Sequence, residues 1–140
     1  MLHKFPLIAR IVLGLMFFVF GLYGFFNQTP PPDLPEKLLA FSTGLQASGY
    51  FFPLLKGTEI ICGLLLLIGA FVPLALIILA PIVLNILLVH IFLAPSGLPI
   101  AIVIAVLEIY LAFFASPYKE IVKQIFRCPM KEAIDAKKKS

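Results

Sequence analysis

Arg10, Lys56, Glu59, Asn85, His90 and Glu108 decide how this sequence is read. Each is charged or strongly hydrogen-bonding, and each stands inside an apolar run, as in PLLKGTEIICGLLLLIGAF and VLNILLVHIFL. A charge in hydrocarbon costs about 2.5–3.5 kcal/mol on insertion scales. A chain that keeps several of them must pair them, hydrate them or use them. Lys56, Glu59 and Gly63 fall at i, i+3 and i+7, one stripe of a helix, and a Lys–Glu pair at i,i+3 neutralises itself more cheaply than two lone charges. Asn85 and His90 are five apart, about 140° around a straight helix. They share a face only if a kink or bulge rotates one of them, so the spacing favours Glu59 with Asn85 over a larger constellation that includes His90.

Each of these residues also has a plainer reading. Asn85 serves either as helix–helix glue or as a ligand. His90 sits near a membrane boundary, as an interfacial residue or a site residue. Lys56 either pairs or snorkels outward, and Arg10, about one turn into the first apolar run, either snorkels to headgroups or meets a buried carboxylate. Glu59 and Glu108 carry the strongest functional expectation, because a carboxylate well inside lipid marks a site by default. Cys62 reads as a small buried apolar residue.

No complete catalytic set accompanies these groups. The sequence holds no HExxH, phosphate-binding loop, zinc spacing or Ser–His–Asp arrangement. His3 and His90 fall at opposite membrane faces and cannot clamp one haem. Cys62 and Cys128 form no CxxC pair. Catalytic residues are therefore unassigned, no metal site is expected, and no cofactor is identified from the residues alone. The net charge of +4 resides mainly at the two ends of the chain, a topogenic pattern rather than a nucleic-acid surface.

The elements that must position these groups follow from composition and hydropathy. Of the 140 residues, 61% are hydrophobic and 13% charged, against about 25% charged in an ordinary soluble domain. The expected fold is all-α: an integral membrane four-helix bundle with a short amphipathic surface helix between spans 1 and 2. The spans are expected at about 6–26, 52–72, 73–93 and 98–115, each near the length needed to cross. Together they form one transmembrane domain, residues 1–118, followed by a basic tail, 119–140, partly disordered. The first span is read as retained rather than as a cleaved signal. A stiff proline connector, NQTPPPDLP, follows it. Over 36–50, Leu38, Phe41 and Leu45 recur at helical spacing with Leu34 upstream, as in a helix lying on the membrane surface. The turn near Gly69–Pro73 is too short for anything but antiparallel neighbours, and Pro81 should kink the third span. An even number of spans puts both termini on one side, and the lysines of the tail place that side in the cytoplasm. At about 1.5 Å per residue, the polar groups then concentrate in the outer half of the bundle, with Glu108 near mid-bilayer.

The stretches RIVLGLMFFVFGLYGF, SGYFFPLLKGTEIICGLLLLIGAFVPLALIILAPIVLNILLVH and LPIAIVIAVLEIYLAFF together resemble the DoxX family of small bacterial four-span membrane proteins. The match rests on the Arg opening span one, the Glu of span two followed by Gly and a leucine run, the Asn and His of span three and the Glu of span four. The resemblance implies a four-helix bundle in a bacterial cytoplasmic membrane, and a loose association with quinone-linked sulfur oxidation and redox-stress membrane complexes. Arg10, Glu59, Asn85, His90 and Glu108 are the matching polar positions. Two functions of different class remain. One is a non-enzymatic binding or assembly module with a polar intramembrane pocket. The other is a quinone-linked redox subunit working with a partner oxidoreductase. The first is favoured, because no residue set completes a redox reaction. The bilayer is the expected surrounding, a membrane or redox protein the expected partner, and nucleic acid is not expected.

Overall fold

A computed structural model of the chain describes residues 4–27, 31 and 33–140. His3 and residues 28–30 and 32 of the proline connector lie outside the described residues. Helix α1 (Phe5–Phe26) starts with Pro6 in its first turn, where a missing N–H costs no hydrogen bond. It stops at Asn27, whose backbone N–H and side-chain amide both donate to the Tyr23 carbonyl. Helix α2 (Glu36–Ala47) follows Pro35 and has no fully buried residue. Leu34, Leu38, Phe41 and Leu45 are half-buried, so the expected apolar stripe is the face that α2 turns inward. Ser48 closes the helix: its Oγ donates to the Leu45 carbonyl and accepts from the Phe51 N–H.

Helix α3 (Phe51–Ile68) ends at Gly69, which takes the left-handed conformation at φ 76°. The N–H groups of Gly69 and Ala70 both return to the Leu65 carbonyl, a glycine helix stop of the usual kind. The second span is therefore shorter than the expected 52–72, because the stop falls at Gly69 rather than at Pro73. Helix α4 (Val72–Phe92) begins at once, and it stays one continuous helix through Pro81. After a 3₁₀ turn at Pro95–Gly97, helix α5 (Leu98–Ile109) widens into a π turn over Tyr110–Phe114. There the Ala115 N–H reaches back to the Tyr110 carbonyl at 2.9 Å. Helix α6 (Tyr118–Ile125) then folds back against this turn and α4. The last segment, expected to be partly disordered, forms an exposed helix α7 (Pro129–Lys139). Arg127 holds Glu132 in its first turn through Nε and Nη2, at 2.8 and 2.7 Å.

The long apolar helices form an antiparallel ring in the order α1, α3, α4, α5, and α1 meets α5 only thinly. Four helical stretches are long and apolar enough to cross a membrane, and only 22–33% of each is buried inside the chain. Most of their apolar surface faces outward, which suits hydrocarbon and not water. The start of α1 and the start of α6 lie at one end of the bundle, where Arg10 reaches Tyr118, here the terminal end; α2 lies at the other.

The tightest contact is between α1 and α3. A Cβ placed on Gly63 would sit 2.6 Å from the Phe18 nitrogen and 2.8 Å from the Gly14 carbonyl oxygen, both backbone atoms that cannot rotate away. Small residues at such a seam let helix backbones approach, which is how helices associate in lipid. Gly63→Ala is expected to lose about 1–3 kcal/mol through forced separation. Gly57→Ala, on the same helix with open space around it, should be neutral or gain about 0.5–1 kcal/mol. Thermal unfolding of both variants in detergent checks this; equal midpoints would remove the seam from the account.

Candidate functional site: a polar cavity among the spans

Lys56 and Glu59 form an ion pair along α3, with Nζ 3.1 Å from Oε2. Glu59 is only 4% exposed. The surroundings are built for the pair. The lysine stem crosses α1 at Gly24, where a Cβ would come within 2.7 Å of Lys56 Cδ, and Gly21 passes over the Glu59 Cβ in the same way. The ammonium also lies 5.6 Å from the centre of the Phe52 ring, close enough for a cation–π contribution. The glycines of α1 thus do two jobs: they bring the helices together and leave room for a charged side chain between them.

His90 faces the pair's side of the bundle from α4. Its Nδ1 is 2.7 Å from the Ile86 carbonyl oxygen. A carbonyl can only accept, so Nδ1 donates to it, and Nε2, on the ring edge beside Gly97, is the nitrogen left for another partner. The ring edge packs against Gly97 of the 3₁₀ turn, in space that a Cβ would occupy. Lys56, Glu59 and His90 line a single cavity of about 280 Å³, completed by Met16, Phe17, Phe20, Ile86, Ile100, Ala101 and Ile104. Phe20 is 48% and Ile100 54% exposed on the outer surface. The cavity therefore opens sideways, between the thinly packed α1 and α5. One cation, one carboxylate and one imidazole meet an aromatic wall at a lateral opening, a combination suited to the polar head of a membrane-soluble molecule.

The remaining sequence candidates stand elsewhere. Asn85 is exposed, not buried. It lines a separate cleft under α2 with Phe41, Leu45, Phe51, Leu55, Pro81 and Ile82. Glu59 shares a cavity lining with His90, and Asn85 lines another. The reason is the register of α4: Val72, Leu76, Leu79 and Val83 point into the core, and the same stripe continues through Ile86 to His90, leaving Asn85 outside. Glu108 is 5% exposed and lines a different groove, toward α6. Arg10 lies at the terminal end of the bundle. Its Nη1 donates to the Tyr118 hydroxyl at 3.2 Å, and its guanidinium occupies the space that Gly69 leaves open. Arg10 therefore meets no carboxylate among the described residues and braces three elements instead. Tyr118 and Gly97 were not singled out from the sequence. A contact across 108 positions, as between Arg10 and Tyr118, has no local signal.

The DoxX family model matches residues 5–91. The chain belongs to the DoxX family. That match takes in α1 to α4, and with them Arg10, Lys56, Glu59, Asn85 and His90; Glu108 lies beyond it. No curated protein and no solved structure matches the chain. With its long apolar helices, this DoxX chain is a multi-pass membrane protein in contact with the bilayer.

Removing one partner of a buried ion pair strands the other and costs about 3–5 kcal/mol. Lys56→Met is expected to destabilise the protein on that scale. The double variant Lys56→Met, Glu59→Gln should recover most of the loss, since it leaves no lone charge. Chemical unfolding in detergent micelles compares the two; a double variant as unstable as the single one would contradict a pairing role.

Proposed function

We propose that this DoxX protein is a membrane binding and assembly module that takes the hydroxyl-bearing head of a lipid-soluble molecule into the Lys56–Glu59–His90 cavity. The observation that carries the reading is the pairing of His90 Nδ1 with the Ile86 carbonyl, which leaves Nε2 to accept a hydrogen bond in a cavity that opens to the lipid. A hydroxyl head can donate to Nε2, and it can accept from the Lys56 ammonium. The tail would leave between Phe20 and Ile100.

Phe17 and Phe20 beside these groups favour an aromatic head, and so support a second, narrower reading: the head is a quinol, and the chain is the quinone-linked subunit of a partner oxidoreductase. In either case the chain presents or receives the molecule, and a partner carries out any reaction. Equilibrium binding in lipid nanodiscs under argon tests both readings. A short-chain quinol should bind saturably to the wild type, more tightly than the matching quinone, and about tenfold more weakly to His90→Ala, the factor expected for about 1.4 kcal/mol of lost hydrogen bonding. Saturable quinol binding that is unchanged by reconstitution with a redox partner would support the module alone. No saturable binding of either form would overturn both readings.

The membrane is proposed to be the bacterial cytoplasmic one, with both termini in the cytoplasm. The support is the basic residues of the terminal end, Lys119, Lys123, Arg127, Lys131 and Lys137–Lys139, under the positive-inside rule. Cys128 is exposed and Cys62 buried, so the natural thiols report the orientation. A membrane-impermeant maleimide should leave Cys128 unlabelled in intact cells and label it in inverted vesicles. Labelling in intact cells would reverse the topology.

A further inference from the structure

Glu108 is left over from the cavity just described, and its surroundings differ in kind. It lines a groove of about 290 Å³ bounded by α4, α5 with its π turn, and α6. Every other residue of that lining is apolar. The carboxylate is 5% exposed, and its Oε2 is buried with no hydrogen-bond partner among the described residues. The ion pairs found among those residues go elsewhere, Lys56 to Glu59 and Arg127 to Glu132. Cys62 is within electrostatic reach but supplies no cation. At the lip of the groove the rings of Phe113 and Phe126 stand 5.8 Å apart.

We infer that this groove is a second binding site, for a hydrophobic amine: a protonated amino head on Glu108 and an aromatic or alkyl body along α4 and α6. Three features support that ligand class over others. A lone carboxyl in an apolar wall must either hold a proton or meet a positive group, and a protonated amine supplies the second. An anionic head would find no cation in this lining, and a purely apolar guest would give the carboxyl no partner. The Phe113–Phe126 pair offers a face to an aromatic body and a further attraction for a cation. The amphipathic α6, with Val122 buried and Ile125 and Phe126 exposed, forms the wall on the terminal side, so a guest would enter from the membrane surface at that end. The site stands apart from the quinol reading, because it shares no lining residue with the Lys56–Glu59–His90 cavity.

Equilibrium dialysis of the full chain in lipid nanodiscs, with empty discs subtracted, tests this with three probes that share one body: 4-phenylbutylamine, 4-phenylbutan-1-ol and 4-phenylbutanoate. The amine is expected to bind saturably, at least tenfold more tightly than the alcohol, with the butanoate undetectable. Glu108→Gln should bring amine and alcohol within twofold of each other, and the double variant Lys56→Met, Glu59→Gln, which strands no charge, should leave the preference intact. Ala80→Phe, which fills the groove without touching the carboxylate, should weaken the amine about tenfold in a variant whose thermal midpoint matches wild type. Equal binding of amine and alcohol to the wild type, a preference that survives Glu108→Gln, or one that is lost in the Lys56→Met, Glu59→Gln double variant instead would overturn the assignment.

Discussion

The pairing of Lys56 with Glu59 inside the glycine seam is the interaction on which the rest of the bundle depends. Charges in hydrocarbon must be compensated where they stand, and here both come from a single helix, so compensation does not wait for tertiary assembly. Assembly does have to make room. Gly14 and Gly63 let α1 and α3 approach at backbone distance, and Gly21 and Gly24 let the pair lie between them. A larger residue at any of these positions acts on both at once, parting the helices and uncovering the ions. Stability and the shape of one cavity wall are thus the same construction.

The polar groups are divided among compartments with different chemistry. The Lys56–Glu59 pair and His90 share a cavity with donor and acceptor capacity. Glu108 faces an apolar groove alone. Arg10 binds Tyr118 at the terminal end and ties the start of α1 to the start of α6. Asn85 looks outward beneath α2. A single shared chamber would have mixed these groups and neutralised most of them. Separate compartments keep a histidine and an unpaired carboxyl distinct within a small bundle.

Much of this was legible before any coordinates. Long apolar runs broken by prolines and glycines mark the spans, and the stripe through Leu34, Leu38, Phe41 and Leu45 marks the inward face of α2. Spacing alone makes the Lys56–Glu59 pair available, since a helix puts i and i+3 side by side, and the structure takes it over the outward-snorkelling alternative. The face of α4 was not legible. Its residues are apolar all round, so hydropathy offers no contrast by which to choose between Asn85 and His90, and their 140° separation says only that one must lose. Within the turn expected around Gly69–Pro73, Gly69 and Pro73 both signal a stop, and the left-handed glycine acts first. The brace between Arg10 and Tyr118 joins the two ends of the sequence, and only the closed ring of helices brings them together.

The most direct measurement is an experimental density map of the protein in lipid nanodiscs, prepared without added ligand and extracted gently enough to keep native lipids. The account predicts non-protein density in the Lys56–Glu59–His90 cavity, with its head within hydrogen-bond distance of His90 Nε2 and its tail passing between Phe20 and Ile100. A collapsed cavity, or His90 turned away from Glu59 toward the acyl chains, would contradict it.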